Sequence, residues 1–399
     1  MEIELNEMEL KSVTALERGR DDHDISKLGR DMKEMVFAKL SFETICSSRA
    51  VCKEWNSILS SHSFLSLPIQ NPWLLICDKK IDGNWSCMAY HFSAQKWIPL
   101  PLYFLPNLRH HNIRDLSGTG QGLLLFRETP TPQLFVCNPL IKSYREIKLD
   151  LTDKFIHIVE RGNNGPYLVV WSHSNLFFFQ IYHYFQDSWR IKFQFEGESV
   201  SNILCREIVE CNGVIFWRGI SPRTIVGYNI KDEGFIKPVT VAPLPHQMDG
   251  PDVHILSMVS YGNSVLVVGF TTPIRPLRRT IILDRPMFAN CPMFVGMVIW
   301  ELFEDEDEED ELVWKWEEFA SMPLPQFLKE GDQICVCVGD YLCFSSKWGG
   351  ESATVFAYNL KEGFWHCLPP CNSYYREERM IMSFEPKFNS YPILGKSRE

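Results

Sequence analysis

From residue 72 to residue 388 the sequence repeats one pattern, and that period limits the available folds more than any other feature. Each unit places a Gly ahead of a short apolar run and a large aromatic some way after it. The pairs are Gly122 and Tyr144, Gly165 and Trp189, Gly213 and Phe235, Gly262 and Trp316, and Gly339 and Trp365. An earlier copy, MAYHFSAQKWIPLP, puts Trp97 in the aromatic slot. Successive aromatics lie 47, 45, 46, 81 and 49 residues apart. Between them come runs rich in β-branched and aromatic residues, such as PWLLICD (72–78), YLVVW (167–171) and SVLVVGF (264–270). Bounded by Gly, Pro, Asn and Asp, these runs read as strands. An all-strand repeat in the mid-forties is the signature of propeller blades.

Packing explains the repeat. A lone four-stranded blade cannot bury both of its faces, so the ring must close. The last strand-like segment, MIMSFEP (380–386), is the candidate to complete the first blade. The late aromatic is expected to fill the space between neighbouring blades. The Gly is expected to permit close approach near the inner strand. The fifth unit takes 54 residues from Gly to aromatic where the others take 22 to 26. Two insertions supply the excess: TTPIRPLRRTIILDRPMFANCP (271–292) and an unbroken acidic run, Glu304 to Glu311. The count is therefore six blades with insertions in the fifth, although RTIILD (279–284) leaves a seventh, degenerate unit open.

The N-terminal end follows a different grammar. Residues 1–24 are polar and acidic and read as a flexible arm. Over 25–66, Leu28, Met32, Met35, Val36 and Leu40 recur at helical spacing, and Ile45, Val51, Trp55, Ile58 and Leu59 carry the pattern into two more short helices. Asp31 is placed to favour the first helix start by capping and through the dipole. Residues 389–399 form a short C-terminal tail.

Charge and cysteine content narrow the function classes. The formal net charge is −10, but without the eight acids of the run the balance is 42 acids to 40 bases. The acidity belongs to one loop, and no basic excess argues for nucleic acid. The thirteen Cys are scattered, with no CxxC pair. The first 25 residues carry no apolar run of signal type, and no stretch approaches a membrane span. The expectation is an intracellular protein, nuclear or cytoplasmic, that engages no membrane. Its thiols are expected to be reduced and its buried Cys to act as small hydrophobes. No HExxH, GxSxG or GxxxxGK[ST] occurs. GTGQG (118–122) precedes a strand rather than a helix and reads as a turn, and adjacent His110 and His111 read as a solvated loop. No catalytic, cofactor-binding or metal-binding residue is expected.

Two segments resemble known families. LGRDMKEMVFAKLSFETICSSRAVCKEWNSILSSHSFL (28–65) resembles an F-box, most specifically in RAVCKEWN (49–56). Gly29 and Ser41 stand where the family usually has proline. VCNPLIKSYREI (136–147), WEEFASMPLPQF (316–327) and VFAYNLKEGFWHCLPPC (355–371) resemble the kelch-type propeller of plant F-box/kelch proteins. The resemblance implies a small all-α F-box of three short helices (25–66), followed by an all-β six-bladed kelch-like propeller (72–388).

It also implies a role. F-box/kelch proteins are non-enzymatic substrate-recognition subunits of Skp–cullin–F-box ubiquitin ligases. The F-box docks on a Skp-type adaptor, and through it on cullin, while the propeller binds a target protein for ubiquitination and degradation. The positions that match the adaptor-binding stripe are Leu28, Met32, Val36, Phe37, Leu40 and Ile45, then Val51, Cys52 and Trp55. Trp55 fits the interior of the small domain equally well. The charged insertions offer target contacts at Arg275, Arg278, Arg279, Glu304, Asp305 and Glu306. Two other classes stay open: a ligase-independent interaction scaffold, and a propeller enzyme with a metal or loop-built site.

Overall fold

The computed structural model describes residues 28–40, 42–65 and, between 72 and 386, the strands with their tight turns. The chain divides into two compact units, Met1–Gln70 and Asn71–Glu399. The N-terminal arm, the C-terminal tail, RTIILD and His110–His111 lie outside the described residues.

The first unit holds four helices among the described residues: α1 (Arg30–Phe37), α2 (Phe42–Ser48), α3 (Lys53–Leu59) and α4 (His62–Leu65). The last is a single turn beyond the three expected. Gly29, with extended backbone and no side-chain cap, precedes α1, so Asp31 sits in the first turn and helps only through the dipole. Phe37, Ile45, Ile58, Leu59 and Phe64 form the buried interior.

In the second unit the described strands pair into six antiparallel sheets. The first has the order β25 (Glu378–Phe384), β1 (Trp73–Lys79), β2 (Trp85–His91), β3 (Lys96–Leu100). The others follow the chain: β4 (Ile113–Gly118) to β7 (Ser143–Lys148), β8 (Lys154–Glu160) to β11 (Ser188–Phe195), β12 (Ile208–Cys211) to β16 (Val239–Thr240), β17 (Val253–Tyr261) to β20 (Leu312–Pro323), and β21 (Gln333–Val338) to β24 (Phe364–Cys367). The innermost strands touch in a closed cycle, β25 to β4, β8, β12, β17, β21 and back to β25. This is a β-propeller. The expectation of six blades with insertions in the fifth is corrected to five regular four-stranded blades, the sixth sheet being irregular. In the β12–β16 sheet the outer edge is broken into β15 (Gly234–Phe235) and β16, both paired to β14 (Thr224–Asn229).

The ring closes where the first and last strands of the propeller meet. β25 pairs β1 over seven positions, from Trp73 opposite Phe384 to Lys79 opposite Glu378. Trp73 is fully buried between Phe384 and His91. Beside them Arg379 grips Asp78 through two bonds, Nε to Oδ1 at 2.7 Å and Nη2 to Oδ2 at 2.9 Å. A third, longer bond of 3.5 Å joins Arg379 to Ser345 in the neighbouring sheet. Both charges are essentially excluded from water, at 1% and 0% exposure.

The repeat pattern maps onto this geometry. All six late aromatics lie on the outermost strands: Trp97 on β3, Tyr144 on β7, Trp189 on β11, Phe235 on β15, Trp316 on β20 and Trp365 on β24. Trp97, Trp316 and Trp365 pack against apolar clusters shared with the preceding sheet of the ring. Trp97 also donates its indole N–H to the Pro369 carbonyl at 2.8 Å. Tyr144 differs, being 39% exposed. Second strands such as β18 (Ser264–Thr271) are buried on both faces, so they read as continuous apolar runs rather than as an alternation.

The glycines act differently from the expectation. Gly213, Gly262 and Gly339 have φ of 78°, 58° and 58° in the turns between first and second strands. No atom crowds the space a Cβ would take at Gly213 or Gly262. Left-handed backbone, rather than close approach, selects glycine there. The blades share a second repeated device that spacing did not announce. Asn138, Asn229 and Asn359 end the third strand of their sheets, and each side-chain oxygen accepts a backbone N–H of the following turn, at 2.9, 3.1 and 2.9 Å.

Two further expectations are corrected. The acidic run is not all loop: Glu304, Asp305 and Glu306 extend β19 (Gly296–Glu306) opposite Trp314, Val313 and Leu312. Nor are all thiols reduced, since Cys77 and Cys87 are bonded across β1 and β2. The buried Cys137, Cys337 and Cys343 do behave as small hydrophobes, and burial pushes the Cys337 thiol up to about 12.

Candidate functional site

The helical unit presents an apolar face to solvent. Met32 and Met35 on α1 are 56% and 68% exposed, and Val51, in the turn before α3, is 63% exposed. Val36 is also exposed, and Leu28 and Leu40 are half-buried at the ends of α1. Long flexible thioethers at such positions make a surface that can adapt to a partner's groove.

Two residues assigned to that stripe are not on the surface. Phe37 and Ile45 are buried at 1% and 0% exposure, and the Phe37 ring packs on Trp55 of α3. Trp55 lies between the two readings. It is half-buried, with its ring edge-to-face against Phe37 at 5.0 Å. Cys52 is exposed, but its sulfur caps α3 by accepting the Trp55 N–H at 3.4 Å, which gives it a structural role. Met35, on the helical stripe yet not carried over as a contact, is the most exposed of these apolar residues.

Polar contacts hold the face in shape. Lys33 is buried at 3% exposure and bonds Glu54 at 2.5 Å, joining α1 to α3. Glu34 accepts from Ser61 at 3.0 Å and Ser63 at 2.8 Å, joining α1 to the start of α4. Burial opposes ionisation of Glu34, but the bonds from Ser63, Ser61 and Arg30 prevail and hold its carboxyl below the ordinary 4.5. A depressed folded-state value stabilises the fold above the unfolded value, and that contribution is lost as pH falls through the folded one. An NMR titration of the Glu34 carboxyl should have its midpoint below 4.5, moving upward in Ser63→Ala. An unmoved midpoint would remove Ser63 from the account.

Residues 25–67 match the F-box domain family. The chain therefore carries an F-box domain ahead of a β-propeller. It is 30% identical over 145 residues to F-box only protein 6 of Arabidopsis thaliana, covering 34% of this chain and 30% of that protein. It is 28% identical over 126 residues to F-box only protein 13 of the same plant, covering 30% and 26%. A third Arabidopsis thaliana F-box protein is 24% identical over 218 residues, covering 49% and 53%. The chain thus spans from about a quarter to about half the length of these relatives. Among solved structures, a chain of the Nidogen/Laminin complex covers 79% of this chain and 99% of its own at 9% identity, with a TM-score of 0.45.

The charged insertion offers less. Arg275, Arg278, Arg279 and Arg285 lie outside the described residues, as does the acidic run beyond Glu306. Among the described residues no group of His, Cys, Asp and Glu is placed to hold a metal ion, and no helix is long and apolar enough to cross a membrane.

Proposed function

We propose that this chain is the substrate-recognition subunit of a Skp–cullin–F-box ubiquitin ligase. The helical unit docks on the Skp-type adaptor, and the propeller holds a target protein for ubiquitination and degradation. The observation that carries the reading is the solvent-facing Met32, Met35, Val36 and Val51 within a segment that matches the F-box family. A monomeric surface has no use for so many exposed apolar groups on one short helix and its neighbour, whereas an apolar groove on a partner does. F-box domains typically bind Skp-type adaptors, and F-box proteins are generally non-catalytic subunits. The mechanism is proximity: the propeller raises the local concentration of target lysines near a charged ubiquitin carrier. We place the blades with the kelch type on their outer-strand aromatics, and the protein within the cell, in nucleus or cytoplasm.

The test is co-purification of the full chain with a Skp-type adaptor. Met32→Asp/Met35→Asp should lower adaptor affinity at least about 100-fold, since each charge must be desolvated in an apolar groove. The propeller should stay folded. A well-folded parent that binds no adaptor would instead support a ligase-independent scaffold.

A further inference from the structure

We infer that Cys77 and Cys87 form a redox-controlled staple on the joint that closes the propeller ring. The two residues sit directly opposite each other in the β1–β2 register, with Cα atoms 4.2 Å apart, and their sulfurs are bonded. Directly opposed positions on paired strands bring side chains into contact whether or not they are bonded, so the sheet accommodates both redox states.

The location gives the bond its consequence. β1 is the strand on which β25 closes the ring, and the residue after Cys77 is Asp78, which holds Arg379. Fixing β1 to β2 fixes the edge that β25 must find. Cys77 is 0% exposed and Cys87 is 3% exposed. No small thiol or disulfide reaches them while the joint is closed. Exchange therefore requires the joint to open, and the closed ring preserves whichever state it traps.

The chemistry is thiol–disulfide exchange with a small disulfide such as glutathione disulfide. One cysteine thiolate attacks it, forming a mixed disulfide and releasing one glutathione thiolate. The second cysteine thiolate then attacks the mixed disulfide, forming the Cys77–Cys87 bond and releasing the second glutathione. The protein loses two electrons and two protons, and one glutathione disulfide becomes two thiols.

The test equilibrates the full-length chain in glutathione buffers of graded oxidation, quenches in acid, unfolds, and labels the thiols by alkylation. Peptide mapping separates the buried pair from Cys52 and Cys367, which are exposed and capture glutathione singly. A two-thiol step should map to Cys77 and Cys87. The oxidised sample should unfold roughly 5 °C above the reduced one, as a short closed loop in a large domain allows. Exchange should be at least about tenfold faster in Arg379→Lys, where the joint opens more often. Cys87→Ala should abolish the step; if that chain does not fold, the two redox forms of the parent carry the comparison. Both thiols free across the whole buffer range would overturn the staple. So would equal unfolding temperatures for the two forms.

Discussion

Replacing Arg379 by Met is expected to destabilise the propeller by about 3–5 kcal/mol, the cost of leaving a buried charge without its partner. Asp78 has 0% exposure, and its two carboxylate oxygens meet Arg379 at 2.7 and 2.9 Å. Met fills much of the Arg volume but offers no proton. The remaining carboxylate must then protonate, admit water, or open the strand pair. The last route is costly, because β1 and β25 are the strands that close the ring. A second substitution separates charge from shape. In Asp78→Leu/Arg379→Met the charge is gone from both sides, and most of the lost stability should return, since apolar replacements of buried pairs are often neutral. Urea unfolding of the three chains decides the matter. An Arg379→Met chain within about 1 kcal/mol of the parent would mean that the pair contributes little and that β25 is held by its backbone ladder to β1 and by packing.

Phe37→Ala should unfold the helical unit while leaving the propeller intact. Removing a buried phenylalanine costs about 3–5 kcal/mol, and a unit of this size rarely has more than about that to lose. Phe37 touches the Trp55 ring at 5.0 Å and is 1% exposed, so its loss empties the middle of the α1–α3 packing. Limited proteolysis should show new cuts between residues 30 and 65 with the C-terminal unit still resistant. Met35→Ala is the contrast: at 68% exposure it should leave proteolysis unchanged and weaken only adaptor binding. If Phe37→Ala resists proteolysis like the parent yet loses the adaptor, Phe37 is a contact and not core.

Phe37 and Met35 also mark the border between what sequence reveals and what it hides. Both belong to the apolar side of α1, and only the packing of α3 decides which one is covered, so burial on the helical stripe was not legible. The packing of Trp97, Trp316 and Trp365 between neighbouring blades was legible because a blade is a local unit, and its period survives in the chain as spacing; their place on the outermost strands was not. The closing role of residues 380–384 was legible too, since a ring of blades needs a returning strand. Glycine was recognisable as a marker, but its reason, positive φ in the turns, depends on backbone angles that spacing does not encode.

The sequence by itself determined the two-part organisation, the all-β repeat and the F-box likeness, because periodicity and short motifs are properties of neighbouring residues. The tertiary structure alone decided which residues meet across long separations. Asp78 and Arg379 are 301 positions apart, and nothing near either one announces the other. Cys77 and Cys87 are only 10 apart, yet their pairing requires one particular β1–β2 register, since a slip of one residue would turn them to opposite faces. Contacts of this kind arise from the closure of the ring and the alignment of strands, and these exist only once the chain has folded.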